Sequence, residues 1–448
     1  MSMRAWPGPA PANPPTAACG GSATRFPWPP AAASATMEGL RHSARSGDRT
    51  MTAEAAQPPA PRPSARATVA SARCDSYDPR AVRTAVAACV DALPDVQDAF
   101  RNARRVLLKP NLLTSRQPID AHVNTHPAVV QALGEILRGE YGCELAIGDS
   151  CGSLTPAATA QAIRNSQMDR VARGLGADLY NVDAQPRHVV AFPQGRICTE
   201  ITLPGNLDQF DLIVSVAKLK THGLTYTTGA VKNIFGLVPG TAKKQVHAMA
   251  PHTADFVQAL CDLYALVRPG VAFMDGVIGM EGRGPAHGRL RRADLIAASG
   301  DPVALDSFCA QVMGFRPLRI PLLKQCTLRG LGTAAPEAID VRGEPAAAFV
   351  TRRFARPPAA AGALLLRLLP RRLLQTVVHL VTDRRAVIDH RTCIRCGECE
   401  RNCPSRAIAF DPVAKRYLVD ARRCIACYCC TEVCPNDAID VRRTWPAF

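Results

Sequence analysis

Nine of the 18 cysteines in this chain fall between Cys393 and Cys434, and their spacing constrains the fold more than any other feature of the 448 residues. Cys393-Ile-Arg-Cys396-Gly-Glu-Cys399-Glu-Arg-Asn-Cys403-Pro404 reads C-x2-C-x2-C-x3-C-P. The pattern returns 31 residues later as Cys424-Ile-Ala-Cys427-Tyr-Cys-Cys430-Thr-Glu-Val-Cys434-Pro435. Ala-Ile follows each copy, at Ala407-Ile408 and Ala438-Ile439, so the segment is an internal repeat. A secreted disulfide scaffold spreads its cysteines through a short chain, and this clustering excludes one. It points to a local metal site in a reducing, cytoplasmic compartment.

The spacing has a chemical reason. Three thiolates on one tight loop reach three irons of a cubane, and the fourth iron takes a thiolate from elsewhere. In this pattern the fourth cysteine of each run serves the other cluster. The expected ligand sets are Cys393, Cys396, Cys399 and Cys434 for one [4Fe-4S] cluster, and Cys424, Cys427, Cys430 and Cys403 for the second. Zinc also accepts four thiolates, but two full copies with a trailing proline favour clusters. Cys429 stands outside the pattern and is expected to pack as a small buried hydrophobe. Tyr428, where the first copy has Gly397, is expected to shield its cluster from water. Over about residues 387–443 the chain resembles the bacterial two-cluster ferredoxin fold, and all eight ligand positions match.

The formal net charge of +16 invites a nucleic-acid reading that the composition does not support. Of 54 basic residues only eight are lysine, and the arginines are scattered through a chain with 5% aromatic content. A basic solvated surface explains this without a nucleic-acid partner.

Four segments are expected along the chain. Residues 1–72 are rich in Ala and Pro, show no helix or strand period, and read as a disordered tail or a mis-called start. No secretory h-region occurs there. Residues 73–350 alternate short apolar runs with helical periods. The strands are expected at 105–109, 144–148, 211–216, 271–274 and 294–298. Helices are expected to open at His126-Pro127 and Thr155-Pro156, and to cover about 253–267 and 303–313. Such alternation implies an α/β fold, a layered and mostly parallel sheet with its site beyond the strands' carboxyl ends. Residues 351–386 form a basic amphipathic linker, too short and charged to span a membrane. Its part at 363–381 could dock between domains or touch a membrane surface. Residues 387–448 form the small α+β ferredoxin-type domain.

Where arginine is used so freely, a retained lysine marks a position where a compact ammonium matters. Five of the eight lysines lie between residues 218 and 244, and Lys109 closes the first strand. Lys218-Leu-Lys220-Thr221-His222 follows the 211–216 strand, Lys232-Asn233 lies in a helix opening near Gly229, and Gly148-Asp149-Ser150 precedes another helix. Together they suggest a pocket for a carboxylate or phosphate.

The same residues carry a resemblance. Lys109-Pro110-Asn111, Gly148-Asp149-Ser150, Lys218-Leu-Lys220-Thr221-His222, Lys232-Asn233, Asp275-Gly276, Glu281-Gly-Arg-Gly284-Pro285 and Gly300-Asp301-Pro302-Val-Ala-Leu-Asp306 follow one another in the order of the family called "domain of unknown function 362". The likeness covers about residues 75–330, and members of that family often carry a C-terminal two-cluster ferredoxin domain. The resemblance implies an architecture and a site, not a reaction.

Three functions are open at this point. In the first, an iron–sulfur oxidoreductase passes single electrons to an anionic small molecule. Lys109, Asn111, Ser150, Thr221, Asn233 and Asp275 would bind it. Lys218, Lys220, His222, Lys232 and Asp149 would be catalytic, with His222 or Lys232 as proton donor and Asp149 or Asp275 orienting them or holding a metal. An external electron donor or acceptor is then required. In the second the protein is an electron-transfer partner for another enzyme. In the third it is a non-redox isomerase or lyase with structural or sensory clusters. A flavin has no support from a dinucleotide fingerprint, since Gly282-Arg-Gly284 lacks the later glycine and the strand–helix context.

Overall fold

The computed structural model describes residues 66–152, 155–350, 353–357 and 384–443. Most of the expected tail and the 363–381 helix fall outside these residues. The main sheet is built from β1 (Ala67–Arg73), β2 (Arg105–Pro110), β3 (Glu144–Asp149) and β4 (Asp178–Asn181). A side hairpin, β5 (Arg187–Ala191) with β6 (Glu200–Pro204), follows. Then come β7 (Leu212–His222), β8 (Tyr226–Thr227), β9 (Val271–Glu281), β10 (Arg289–Ser299) and β11 (Ile339–Gly343).

The strand order is β11-β1-β10-β9-β7-β2-β3-β4, with β8 paired to β7. From β9 to β4 every pairing is parallel; β10 is antiparallel to both β9 and β1, and β1 runs parallel to β11. The central strands are near-continuous apolar runs because helices cover both faces. On one face Val106, Leu108, Val214 and Phe273 meet Phe100, Leu133 and Ile136. On the other Leu107 and Ile213 meet Phe256, Leu260 and Leu323. The mostly parallel, layered α/β domain expected from the sequence is the one observed.

Two expected boundaries change. Ala67–Arg73 is an interior strand with Val69 fully buried, although residues up to 72 read as tail. Its small residues carry little hydrophobic signal, and its place between two neighbours supplies the burial instead. The strand expected at 211–216 continues to His222, and all 11 residues of β7 are buried. Lys218, Lys220 and His222 read as loop because each is polar; partners on the covered face pay for their burial.

The C-terminal lobe pairs β12 (Arg384–Ile388) with β15 (Ile439–Arg443) and β13 (Ile408–Asp411) with β14 (Arg416–Val419), all antiparallel. β12 begins inside the segment expected to be linker. The sequence repeat is a backbone repeat as well. Arg395, Gly397 and Arg406 have positive φ, and so do Ala426, Tyr428 and Asp437, their counterparts one repeat later. Gly397 and Tyr428 each precede a short helix, Glu398–Arg401 and Cys429–Val433.

Candidate functional site

Three lysines at the carboxyl ends of β2 and β7 are almost fully buried, and each has its own network. Lys109 Nζ pairs with Asp149 Oδ1 at 2.7 Å and donates to Asn233 Oδ1 and the Pro110 carbonyl. The remaining Asp149 oxygen accepts the Leu112 N–H at 2.7 Å. Lys218 Nζ pairs with Asp275 Oδ2 at 2.8 Å and donates to the Tyr77 hydroxyl, which donates to Asp275 Oδ1. Lys220 has no carboxylate partner among the described residues. Its Nζ donates to Asn111 Oδ1 and to the Val123 carbonyl, each at 2.7 Å. Burial pushes Lys220 well below the ordinary lysine value, and nearby Lys232 and Lys218 push it further.

Beyond these strand ends a cleft lies between the two lobes. Asn111, Asp149, His222, Lys232 and His247 line it from the α/β lobe; Asn402, Cys429, Glu432 and Val433 line it from the other. The Lys232 ammonium makes no hydrogen bond or ion pair with any described residue, and burial lowers its pKa from the ordinary value. His222 Nδ1 accepts the N–H groups of Leu224 (3.0 Å) and Thr225 (3.2 Å), so its ring proton sits on Nε2 and is donated to Glu432 Oε1 at 3.0 Å. Burial pushes His222 down to about 4, Lys232 adds to this and Glu432 opposes it, so the ring is neutral at pH 7. Burial also lowers His247 to about 4.

Lys232 rides on the short helix Gly229–Asn233, and Asp306 holds the start of that helix. The Asp306 carboxylate accepts Ala230 N–H at 2.6 Å and Val231 N–H at 3.0 Å. Gly229 has a φ of 68°, and a Cβ there would lie 2.3 Å from Asp306 Oδ2. Only glycine fits. Burial pushes the Asp306 carboxyl up to about 7, against the two backbone N–H bonds. A carboxyl raised in the folded state adds stability below its unfolded value, and that stability is lost as pH rises toward 7. Denaturant unfolding of wild type and Asp306→Asn should therefore diverge with pH. The wild type should lose ground to the variant between about pH 4 and 7 and then level off. A gap that stays constant over that range would reject the assignment.

The expected site residues separate into groups. Asn111, Asp149, Ser150, His222, Lys232 and Asn233 reach the cleft. Lys109 and Lys220 stand one layer behind, orienting Asp149 and Asn111. Lys218 and Asp275 form a separate knot with Tyr77, while the Thr221 hydroxyl faces the Met280 and Gly282 carbonyls. None of these three lines the cleft: the continuation of β7 carries Lys218 and Thr221 into the core, and Asp275 meets Lys218 there from β9. Asp149 and Asp275 are each paired with a lysine. Ser150 Oγ is held between Asp183 and Lys243. Cys429 is half-buried and lines the cleft, whereas packing as a buried hydrophobe was expected. Sequence reasoning missed Lys243, Lys244, His247, Phe256 and Glu432. Glu432 in particular looks like a spacer inside the cysteine run.

The cysteines surround two further small cavities. One is lined by Cys393, Cys396, Cys399 and Cys434, the other by Cys403, Cys424, Cys427 and Cys430. Each set draws one thiol from the opposite run. Four thiols drawn from two runs in this way are the donor set that a pair of [4Fe-4S] clusters takes. Backbone N–H groups of Ala386, Ala407 and Ala438 donate to the sulfurs of Cys424, Cys403 and Cys434. Tyr428 closes one side of the second cavity.

The two lobes are joined around the cleft by Arg283 with Asp437, by Arg116 with Glu398, and by His287 Nε2 with the Thr431 carbonyl. Among the described residues no helix is long and apolar enough to cross a membrane.

Comparison with known proteins agrees with this division. Residues 106–311 match "Domain of unknown function (DUF362)", and residues 385–435 match a "4Fe-4S dicluster domain". The thylakoid-associated protein sll1697 of Synechocystis sp. PCC 6803 is 30% identical over 275 residues, covering 59% of this chain and 80% of that protein. Among solved structures, the lactate racemase apoprotein from Thermoanaerobacterium thermosaccharolyticum is 10% identical with a TM-score of 0.36. That match covers 56% of this chain and 58% of the racemase chain, and carries no functional weight. With the lysine-bearing strand ends in one matched segment and the paired cysteine runs in the other, the chain belongs to the domain-of-unknown-function-362 family, in the form that carries a C-terminal 4Fe-4S dicluster domain.

Proposed function

We propose that the protein is an iron–sulfur reductase whose substrate is an anionic small molecule held in the cleft between the lobes. The observation that supports this is the helix Cys429–Val433. Cys429, Glu432 and Val433 line the cleft, while Cys430 on the same helix and Cys427 just before it line the second thiol cavity. Clusters held by the two cysteine sets would supply single-electron transfer to the cleft. The chain's own residues do the rest. Lys232 and the Asn111 amide bind the anion, and Leu112, Phe235, Phe256 and Val433 exclude water from it. Lys232 is the proton donor, because the Nε2–H of His222 is committed to Glu432. An external electron donor is the partner that completes the cycle.

The test uses the anaerobically purified, dithionite-reduced chain. Mixing it with small carboxylates and phosphates should restore the visible absorbance with saturable dependence on one of them. Lys232→Met should slow that reoxidation by about 100-fold or more. Reoxidation only by carrier proteins, with Lys232→Met at the wild-type rate, would instead make this an electron-transfer partner.

A further inference from the structure

We infer that the second cysteine set, Cys403, Cys424, Cys427 and Cys430, holds its cluster at a higher potential than the first set does. An electron given to the first cluster then passes on to the second, the one beside the cleft. This rests on reading the cysteine sets as cluster ligands and the cleft as the substrate site. The internal repeat makes the comparison direct, because residues 31 positions apart are counterparts in the two runs. An added electron makes a cluster more negative. Donors to its sulfurs and cations nearby therefore favour the reduced state and raise the potential.

The first support is the donors to sulfur. Backbone N–H groups serve both sets, as from Ala407 to Cys403 at 3.1 Å and from Ala438 to Cys434 at 3.3 Å. Among the described residues, side chains serve only the second set. The Ser405 hydroxyl lies 3.6 Å from Cys403 Sγ, and beside a ligating thiolate it can only donate. The Cys429 thiol hydrogen-bonds the sulfur of Cys427. The counterpart of Cys429 in the first run is Glu398, a carboxylate. The counterpart of Ser405 is Asn436, whose amide donates to the Thr392 carbonyl instead.

The second support is charge. Arg406 stands between Ser405 and Ala407, which line the second cavity; its counterpart Asp437 stands between Asn436 and Ala438, which line the first. The Lys244 ammonium lies within electrostatic reach of Cys403 and Cys429. Arg384 donates to the hydroxyl of Tyr428, which lines the second cavity. Two positions run the other way, since Arg395 and Arg401 of the first run correspond to Ala426 and Glu432. Arg401 is offset by its own pair with Glu398 at 2.9 Å, and Glu432 by Lys232 within its electrostatic reach. Shielding by Tyr428 lowers a potential, but the low dielectric it creates strengthens every donor and cation beside it. On this ordering the first cluster is oxidised as the second is reduced by one electron, and no bond or proton moves. The electron itself comes from an external one-electron donor.

An anaerobic redox titration of the iron-loaded full chain, followed by electron paramagnetic resonance, tests the inference. Cys393→Ala and Cys424→Ala each leave one cluster and so assign the two potentials. The electron should prefer the second cluster by about tenfold or more, which is about 59 mV for a one-electron couple. Cys429→Ala and Ser405→Ala should each lower the second potential and leave the first in place. Cys429→Ser keeps a donor and should restore most of the loss. Arg406→Glu, an exposed position, should also lower the second potential alone. That shift identifies the second cluster even if a cysteine variant loads neither. Iron of about eight per chain verifies loading of the variants at Cys429, Ser405 and Arg406. Equal potentials or a higher first cluster overturns the inference. So does a second potential that all three positions leave unchanged. The titration needs no substrate, so the expected ordering without reoxidation by any small anion would sink the reductase reading alone. Reoxidation by an anion with the potentials reversed would sink this inference alone.

Discussion

Cys403→Ala is expected to cost the chain the same irons as Cys424→Ala, although the two cysteines belong to different runs. Cys403 lines the cavity of Cys424, Cys427 and Cys430, and Cys434 lines that of Cys393, Cys396 and Cys399. Iron in the anaerobically purified chain should fall from about eight to about four in either single variant. The double variants separate the alternatives. Cys403→Ala with Cys424→Ala should keep about four irons, because both substitutions strike one cluster. Cys403→Ala with Cys393→Ala should keep almost none. The reverse pattern would mean that each run holds its own cluster. Zinc in place of iron in the wild type would remove the clusters altogether.

Lys109→Met is expected to destabilise the α/β lobe by about 3–5 kcal/mol, the cost of leaving a buried partner charge alone. Lys109 and Asp149 are almost completely buried, and their 2.7 Å contact is reinforced by Asn233. Burial lowers the pKa of Lys109 and Asp149 opposes that fall, so the ammonium depends on its partner. Denaturant unfolding of the single variant measures the loss. Lys109→Met combined with Asp149→Leu should recover much of it, since an apolar pair strands no charge. Lys232→Met, by contrast, breaks no pair and should unfold close to wild type while losing the anion. A Lys109→Met chain as stable as wild type would show that the pair carries no such weight.

These contrasts mark how far the sequence could be read. The cysteine repeat was fully legible, because ligand geometry demands a fixed spacing and the repeat shows it twice. The parallel strands were legible as apolar runs, and Asn111 and Asp149 at their ends share the cleft with Lys232 from the helix Gly229–Asn233. Lys218 was not separable from Lys220. Both look alike in sequence, and only the partners, Asp275 from β9 and Asn111 after β2, assign them to different networks. Lys243, Lys244 and His247 lie on a helix with no motif of its own, so nothing local announces their approach to the cleft. Glu432 was hidden by the cysteines around it. β1 escaped notice because small residues gain their burial from neighbours distant in the chain.

The helix Cys429–Val433 also bears on how such a protein can be assembled or re-engineered. A ferredoxin module grafted from another protein would bring its own thiols and its own electron carrier. It would not bring Cys429, Glu432 and Val433, and it would leave His222 without its acceptor. The C-terminal lobe is therefore not an interchangeable cartridge: part of the cleft's lining is written into its spacer residues. A functional chimera requires that those spacers be transplanted with the α/β lobe they complete.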